Sequence, residues 1–215
     1  MWRINKMNST KQQNENNNVV LVGEVAGTPR CSHEFSGESF YVFDMAIQRT
    51  SGIIDTVPVM VSERLYKMED IKVGNLYEII GQFRSYNKRK EGKNCVILLV
   101  FAREIHELDE EEFVDENRAV ILGYICKKPV YRETPLGREI ADLLIAVNRA
   151  YGKSDYIHCI TWGRNARYAD TLEIGMRVRL QGRIQSREYV KKIGNDKTET
   201  RVTYELSVNQ LALGE

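Results

Sequence analysis

The sequence predicts an all-β protein that consists of two consecutive copies of one small barrel. Three observations lead to this prediction. The 215 residues contain an internal repeat with a period of about 100 residues. Each copy holds five short segments rich in Val, Ile, Leu and Tyr, separated by Gly, Pro, Asn and Asp. Between the third and fourth segments lies one stretch whose apolar residues have near-helical spacing.

The repeat is defined by residues that recur in the same order. Residues 18–23 (NVVLVG) resemble residues 118–123 (RAVILG), and residues 40–49 match residues 140–149, both ending in Arg. The other matches are Pro29 with Pro129, 55–60 with 155–160, and, after one inserted residue, Gly74, Gly81 and Ser85 with Gly175, Gly182 and Ser186. A repeat of this length indicates a duplicated domain rather than a solenoid.

The elements of each copy follow the order of a known barrel. In the second copy we expect strands at about 118–126, 138–149, 154–162, 176–187 and 201–212. The helical stretches are 163–174, with Ala166, Ala169 and Leu172, and 62–73, with Leu65, Met68 and Ile71. Five strands with one helix between the third and fourth are typical of the OB-fold, a five-stranded Greek-key barrel. The sequence therefore predicts two tandem OB-folds, each with one short helix.

The charge is distributed unevenly along the chain. The total is +1, but residues 103–117 carry −7, residues 1–102 carry +2 and residues 118–215 carry +6. A block of like charge is typical of a solvated linker. We therefore expect a disordered polar tail over 1–17, a first, divergent OB-fold over 18–102, an acidic linker over 103–117 and a second OB-fold over 118–215. The basic second copy is where an anionic ligand would be attracted.

Several protein classes are not expected. No apolar run is long enough for a membrane helix, and the first residues contain no apolar signal segment, so a cytoplasmic, nucleoid-associated protein is expected. The four Cys form no C-x-x-C pair, which argues against a zinc site, and no other cofactor is expected. The sequence has no P-loop, no G-x-S-x-G and no H-E-x-x-H motif, so we do not expect an enzyme.

The second copy resembles the bacterial single-stranded DNA-binding protein family. The resemblance rests on the opening strand with Gly123 and Pro129, on LIAVNR at 144–149, on YIHCITWG at 156–163, on Ala166, and on Gly175 through QGRIQSR at 181–187. The first copy resembles the same family more weakly, over about 18–101. The resemblance implies OB-folds that bind single-stranded DNA during replication, recombination and repair.

The resemblance also implies which aromatic residues stack on bases. In the second copy, the family's four stacking positions hold Tyr151, Tyr156, Trp162 and Tyr189. In the first copy, the matching positions hold Ser51, Thr56, Ser62 and Lys88, none of which is aromatic. We therefore expect the second copy to provide most of the DNA contact.

The residues themselves indicate the same surface. Tyr156, His158, Ile160 and Trp162 alternate along the third strand, so they should share its outer face, while Ile157 and Cys159 face the core. Exposed aromatic rings can stack on bases of any sequence. The basic residues expected to follow the phosphates are Arg138, Arg149, Lys153, Arg164, Arg167, Arg177, Arg179, Arg183, Arg187, Lys191 and Lys192. In the first copy, Arg84, Tyr86 and Lys88 crowd one hairpin, which either extends the DNA path or is simply a solvated loop.

The first hypothesis is sequence-tolerant binding of single-stranded DNA. Because family members commonly use four OB-folds, two chains would suffice, and we expect a homodimer. Replication proteins are possible partners, and no contact with a membrane is expected. The alternative is a primosomal, replication-restart type of OB-fold adaptor, which acts mainly by docking partner proteins. A nuclease or tRNA-binding enzyme is a third, weaker hypothesis, because no catalytic cluster is visible in the sequence.

Overall fold

The computed structural model describes residues 16–90, 93–149, 152–192 and 198–214. The all-β prediction is confirmed: twelve strands form one continuous sheet. The strands of residues 16–108, here the N-terminal repeat, are β1 (Asn17–Val25), β2 (Arg30–Phe35), β3 (Glu38–Gln48), β4 (Ile54–Ser62), β5 (Leu76–Lys90) and β6 (Lys93–Leu108). Those of residues 116–214, the C-terminal repeat, are β7 (Glu116–Ile125), β8 (Val130–Glu133), β9 (Glu139–Asn148), β10 (Ser154–Trp162), β11 (Arg177–Lys192) and β12 (Thr198–Leu213).

The strand pairing is the same in the two repeats. In the N-terminal repeat, β1 pairs with β3, β3 with β4, β4 with β6, β6 with β5, and β5 returns to β1. In the C-terminal repeat, β7, β9, β10, β12 and β11 pair in the same cyclic order. The pairings of β4 with β6 and of β10 with β12 are parallel, and the other pairings in these two cycles are antiparallel.

Two glycines in each repeat allow close approach between paired strands. A Cβ at Gly81 or Gly182 would lie 2.3 Å or 2.1 Å from a carbonyl oxygen of the neighbouring strand, and both glycines sit at register shifts. At Gly23 and Gly123 the corresponding distances are 2.4 Å and 2.5 Å. Such strand glycines mark positions where two backbones meet without room for a side chain.

The two repeats are joined along their first strands. β1 and β7 pair antiparallel over six residue pairs, from Asn17 opposite Ile121 to Val22 opposite Glu116. Buried apolar residues of both repeats form one contiguous cluster, which includes Val19 and Leu21 of β1 and Ala119 and Ile121 of β7. The junction is therefore part of the hydrophobic core.

The short strands β2 and β8 were not predicted. Every residue of these two strands is exposed, so neither strand has the apolar alternation by which a half-buried strand is recognised. They pair with the outer edges of β3 and β9.

The predicted helix occurs in one repeat. α1 spans Arg164–Asp170 and buries Ala166 and Ala169. The prediction of a helix over 62–73 is wrong, because this segment contains turns and a single 3₁₀ turn at Met68–Asp70. Its first residue, Ser62, accepts a hydrogen bond from the backbone N–H of Arg64 at 3.1 Å through its hydroxyl. Such a local side-chain bond favours a turn over a helix.

The acidic segment is shorter than predicted. Residues 103–108 continue β6 and residues 116–117 begin β7, so the segment between strands is 109–115, with a 3₁₀ turn at Glu110–Glu112. The predicted tail is also too long at its end, because Asn17 lies in β1 and is buried. Residues 1–15 lie outside the described part of the chain. Within the described ranges, no helix is both long and apolar enough to cross a membrane.

Candidate nucleic-acid interface

The outer face of β10 presents the predicted aromatic pair to solvent. Tyr156 is 51% exposed and Trp162 is 39% exposed, and His158 between them is also exposed. Asp155, Ile157, Cys159 and Thr161 alternate with these residues and are buried. The predicted alternation is confirmed except at Ile160, which is only 6% exposed. The strand thus carries two separated aromatic rings with a polar residue between them.

Trp162 is held at the end of β10 by a neighbouring strand. Its indole Nε1 donates to Ser207 Oγ of β12 at 3.4 Å, which orients the ring without covering it. The next residue, Gly163, has φ of +53°, a conformation that glycine adopts without a steric penalty. The chain can therefore turn at once into α1.

The beginning of β10 is anchored to the N-terminal repeat. The backbone N–H of Tyr156 donates to Ser85 Oγ of β5 at 3.0 Å. Asp155, which is buried, accepts from the backbone N–H of Ser85 at 2.6 Å and forms a bidentate ion pair with Arg149. Arg149 also donates to the carbonyl oxygen of Ser85 at 2.9 Å. These bonds fix the position of Tyr156 relative to β5.

Arg149 therefore has a different environment from the one expected of a phosphate contact. Its hydrogen bonds to Asp155 raise its pKa, and its guanidinium lies 5.5 Å from the centre of the Tyr86 ring. The equivalent pair in the N-terminal repeat is Arg49 with Asp55, where the hydrogen bond to Asp55 likewise raises the pKa of Arg49. Arg149 thus links both repeats by its contacts with Asp155, Ser85 and Tyr86.

The basic face of β11 has two kinds of arginine. Val178, Leu180 and Ile184 are buried, which confirms the predicted separation of apolar and basic faces, and Arg177 and Arg179 are exposed. Arg183 is half-buried, with its Nε 3.8 Å from Asp55 Oδ2. Burial and the neighbouring Arg49 lower its pKa.

Arg187 has a carboxylate beside it. Its Nε lies 3.3 Å from Glu205 Oε2, and Glu205 is buried. Arg187 is thus exposed like Arg177 and Arg179, but it lies beside a buried carboxylate.

Exposed cations lie at both ends of β10. Lys153 precedes the strand and Arg164 follows it, and both are exposed. Arg138 is exposed in the turn before β9, whereas Arg167 pairs with Glu139 at 3.0 Å. Tyr189 on β11 is 36% exposed. Tyr151 and the side chains of Lys88, Lys191 and Lys192 lie outside the described residues.

The N-terminal repeat carries aromatic residues that the sequence did not point to. Phe40 of β3 lies between His33, whose ring is stacked on it at 4.9 Å, and Phe101 of β6, whose centroid is 6.2 Å away. The Arg84 guanidinium lies 4.1 Å over the Phe101 ring. In the sequence, these aromatic residues could have been noticed at Phe101. It occupies the position equivalent to Ser207, the residue that contacts Trp162 in the C-terminal repeat. Within the described part of the chain, no three His, Cys, Asp or Glu residues lie together so that they could hold a metal ion.

The C-terminal repeat is similar to known proteins. The sequence model described as "Single-strand binding protein family" matches residues 116–211. The chain is 36% identical over 85 residues to single-stranded DNA-binding protein A of Bacillus subtilis, which is 36% of this chain and 49% of that protein. It is 34% identical over 96 residues to single-stranded DNA-binding protein 2 of Listeria innocua, which is 41% of this chain and 60% of that protein. The chain thus spans about half of the length of these curated relatives.

A solved structure shares the fold over nearly the whole chain. The wild-type single-stranded DNA binding protein from Thermus aquaticus superposes with a TM-score of 0.74 at 20% sequence identity, covering 93% of each chain. At this identity the match is a likeness of fold.

Proposed function

We propose that this chain, whose residues 116–211 match the single-strand binding protein family, binds single-stranded DNA across the outer face of β10. The observation that carries the proposal is the pair of exposed rings, Tyr156 and Trp162, on one strand with Lys153 and Arg164 at its two ends. Bases stack on the rings and the flanking cations contact phosphates. Every base has a π-face, so binding tolerates any sequence.

The proposal includes two tandem OB-fold barrels. Its support is the cyclic pairing of five strands in each repeat, together with the likeness of fold to the Thermus protein. In an OB-fold, the face of the second and third strands binds oligonucleotides. In the C-terminal repeat these strands are β9 and β10, which carry the exposed aromatic pair.

The direct test is titration of a labelled oligo(dT) with the purified chain at two salt concentrations. Binding should be salt-sensitive, and Tyr156→Ala and Trp162→Ala should each weaken it by about 1–3 kcal/mol. Tyr168→Ala is the matched control, because Tyr168 is similarly exposed but lies on α1. Wild-type affinity in both β10 variants would exclude this face as the site.

The same proposal covers the biological role and the assembly. Sequence-tolerant binding suits replication, recombination and repair, in which single strands are exposed and replication proteins are encountered. Two chains would supply four OB-folds, so the expected species is a homodimer of twice the 24.9 kDa chain mass. Sedimentation equilibrium at micromolar concentration measures this mass directly. A monomer mass would refute the proposed dimer and leave the proposal of DNA binding standing.

A further inference from the structure

The N-terminal repeat has an apolar groove on the face that corresponds to the proposed DNA site. The groove encloses a cavity of about 650 Å³. Met60, Ile97 and Leu99 are among the apolar residues that line it, Arg30 and His33 lie on one side, and Tyr86 lies on the other. A concave apolar surface with an arginine at its border has the chemistry to hold planar bases while the phosphates stay outside.

The two repeats carry the aromatic side chain of this face on different strands. In the C-terminal repeat, Trp162 ends β10 and Ser207 of β12 hydrogen-bonds to it. In the N-terminal repeat, Ser62 stands at the position of Trp162, and Phe101 stands at the position of Ser207. The large ring and the small hydroxyl therefore stand on exchanged strands, and the repeat keeps an aromatic residue on β6, opposite Met60 of β4.

Further rings surround Phe101. Phe40 and His33 continue from it as a row of neighbouring rings, and Arg84 covers one side of the Phe101 ring at 4.1 Å. Arg30 contributes a second cation, which is 73% exposed at its side chain and lies 3.7 Å from Asp44. Both rings and cations are therefore present although the four stacking positions of the family hold no aromatic residue here.

The groove is linked to the proposed site on β10 by contacts of Ser85 and Tyr86. Tyr86 lines the groove, and the Arg149 guanidinium lies over its ring at 5.5 Å. The preceding residue, Ser85, receives the hydrogen bond from the N–H of Tyr156. A DNA strand that stacks on Tyr156 can therefore continue past Arg149 to Tyr86, a half-buried ring at the edge of the groove.

We infer that the groove of the N-terminal repeat holds bases of the same DNA strand that crosses β10, with Tyr86 as the first contact and the Phe101 cluster beyond it. The inference rests on the proposed function. It differs from the expectation for the first copy, because the stacking residues occupy other positions on the face. Short oligonucleotides should occupy β10 alone, and longer ones should extend into the groove.

Cys31 provides a probe of occupancy in the native sequence. It is an exposed free thiol that lines the groove, whereas Cys159 is buried. We would measure alkylation of Cys31 by iodoacetamide, by peptide mass spectrometry, in the full chain saturated with oligo(dT) of about 10 or about 35 nucleotides, lengths chosen from the range covered by one OB-fold and by more than two. The longer oligonucleotide should slow the reaction at least fivefold and the shorter one should leave it unchanged. Unchanged alkylation with both, while both bind, would overturn the inference and leave the proposed function standing.

A pair of matched variants tests the ring itself. Phe101→Ser places in the N-terminal repeat the residue that the C-terminal repeat has, and should weaken binding of the longer oligonucleotide about fivefold or more while leaving the shorter one unaffected. Phe35→Ser is the control, because Phe35 is an exposed ring at the end of β2, outside the row of rings formed by His33, Phe40 and Phe101. Equal affinity of Phe101→Ser and Phe35→Ser for the longer oligonucleotide would contradict a DNA path through the groove and favour a protein partner there. If the wild-type chain bound neither the shorter nor the longer oligonucleotide, the proposed function itself would be refuted.

Discussion

Val19 of β1 lies opposite Ala119 of β7, and these two residues are also each other's counterparts in the internal repeat. The pairing is symmetric about these two residues: Asn17 lies opposite Ile121, and their counterparts in the other repeat, Asn117 and Leu21, lie opposite each other. A local two-fold axis therefore passes between Val19 and Ala119. The two repeats meet as the subunits of a symmetric dimer would, through the same strand of each.

The first prediction concerns the asparagines beside this axis. Asn17 donates to the carbonyl of Phe83 at 2.7 Å and accepts from its N–H at 2.9 Å, and Asn117 makes the same two bonds to Ile184. Asn17→Ala should lower the free energy of unfolding by about 1–3 kcal/mol, because it leaves two buried backbone groups without partners. Asn117→Ala should cost less, because its bonds are only partly buried. Urea denaturation of both variants measures the difference, and a larger loss in Asn117→Ala would contradict it.

The second prediction concerns the link between the repeats at Asp155. Asp155→Ala leaves Arg149 without its carboxylate and removes the bonds to Ser85, so we expect a loss of about 3–5 kcal/mol, the range found when one partner of a buried ion pair is removed. Asp55→Ala should cost less, because Asp55 contacts the other repeat only through Arg183 at 3.8 Å among the bonds of the described residues, whereas Asp155 also accepts from the backbone N–H of Ser85. Denaturation followed by two probes, one in each repeat, should become non-coincident in Asp155→Ala. Coincident transitions with equal losses in both variants would show that Asp155 does not couple the repeats.

The third prediction concerns Gly182, where β11 and β12 approach each other closely. Gly182→Ala should destabilise the protein by about 2 kcal/mol or more, because the added Cβ would lie 2.1 Å from the Ser207 carbonyl oxygen and the backbone must move. Since Ser207 also holds Trp162, affinity for oligo(dT) should fall as well. Gly27→Ala is the control, because a Cβ there meets no atom within 4 Å. Thermal melting and one titration cover both readouts, and similar melting temperatures would contradict the steric argument.

The fourth prediction concerns Arg179 and salt. For single strands, the slope of log K against log salt concentration is about −0.7 for each phosphate neutralised. If the exposed Arg179 contacts one phosphate, Arg179→Gln should make the slope less steep by about 0.7 and weaken binding equally for different base sequences. Arg64→Gln removes the same charge in the N-terminal repeat, beside Glu38, and should leave the slope unchanged. An unchanged slope in Arg179→Gln would remove this residue from the DNA path.

The fifth prediction concerns Tyr77 at high pH. Burial is the main cause that raises the pKa of Tyr77 from 10.0 to about 12, and its hydroxyl donates to the carbonyl of Asp70 at 3.0 Å. Above pH 10 the unfolded chain loses this proton while the folded chain keeps it, so the free energy of unfolding falls as pH rises toward 12. Tyr77→Phe should show a shallower fall over the same interval. Equal slopes in urea titrations of the two proteins between pH 9 and 11 would contradict the assignment.

The sequence predicted the elements whose side chains alternate. β10 could be predicted, with Tyr156 and Trp162 on its outer face, because buried and exposed positions follow each other along one strand. β2 and β8 could not, since they are exposed throughout and their pairing depends on the edges of other strands. The role of Arg149 was also out of reach, because its partner Ser85 is 64 residues away.

The Phe101 cluster shows a different limit. Transfer of the family's stacking positions assigns each aromatic residue to one place in the sequence, and by that rule the first copy has none. Ser62 and Phe101 lie on different strands, so their exchange relative to Trp162 and Ser207 becomes apparent only when β4 and β6 are paired. Neighbouring strands can present the same ring at nearly the same place on a sheet.

The β1–β7 junction has a further consequence for how the two faces can differ. In a homodimer, one gene encodes both subunits, so every substitution occurs twice and the two surfaces stay identical. Here the two repeats are encoded by different segments of one polypeptide, so each can change without the other. A change at Phe101 has no copy at Ser207, and the chain can combine a polar surface on one side with an apolar one on the other while the shared interface keeps its symmetry.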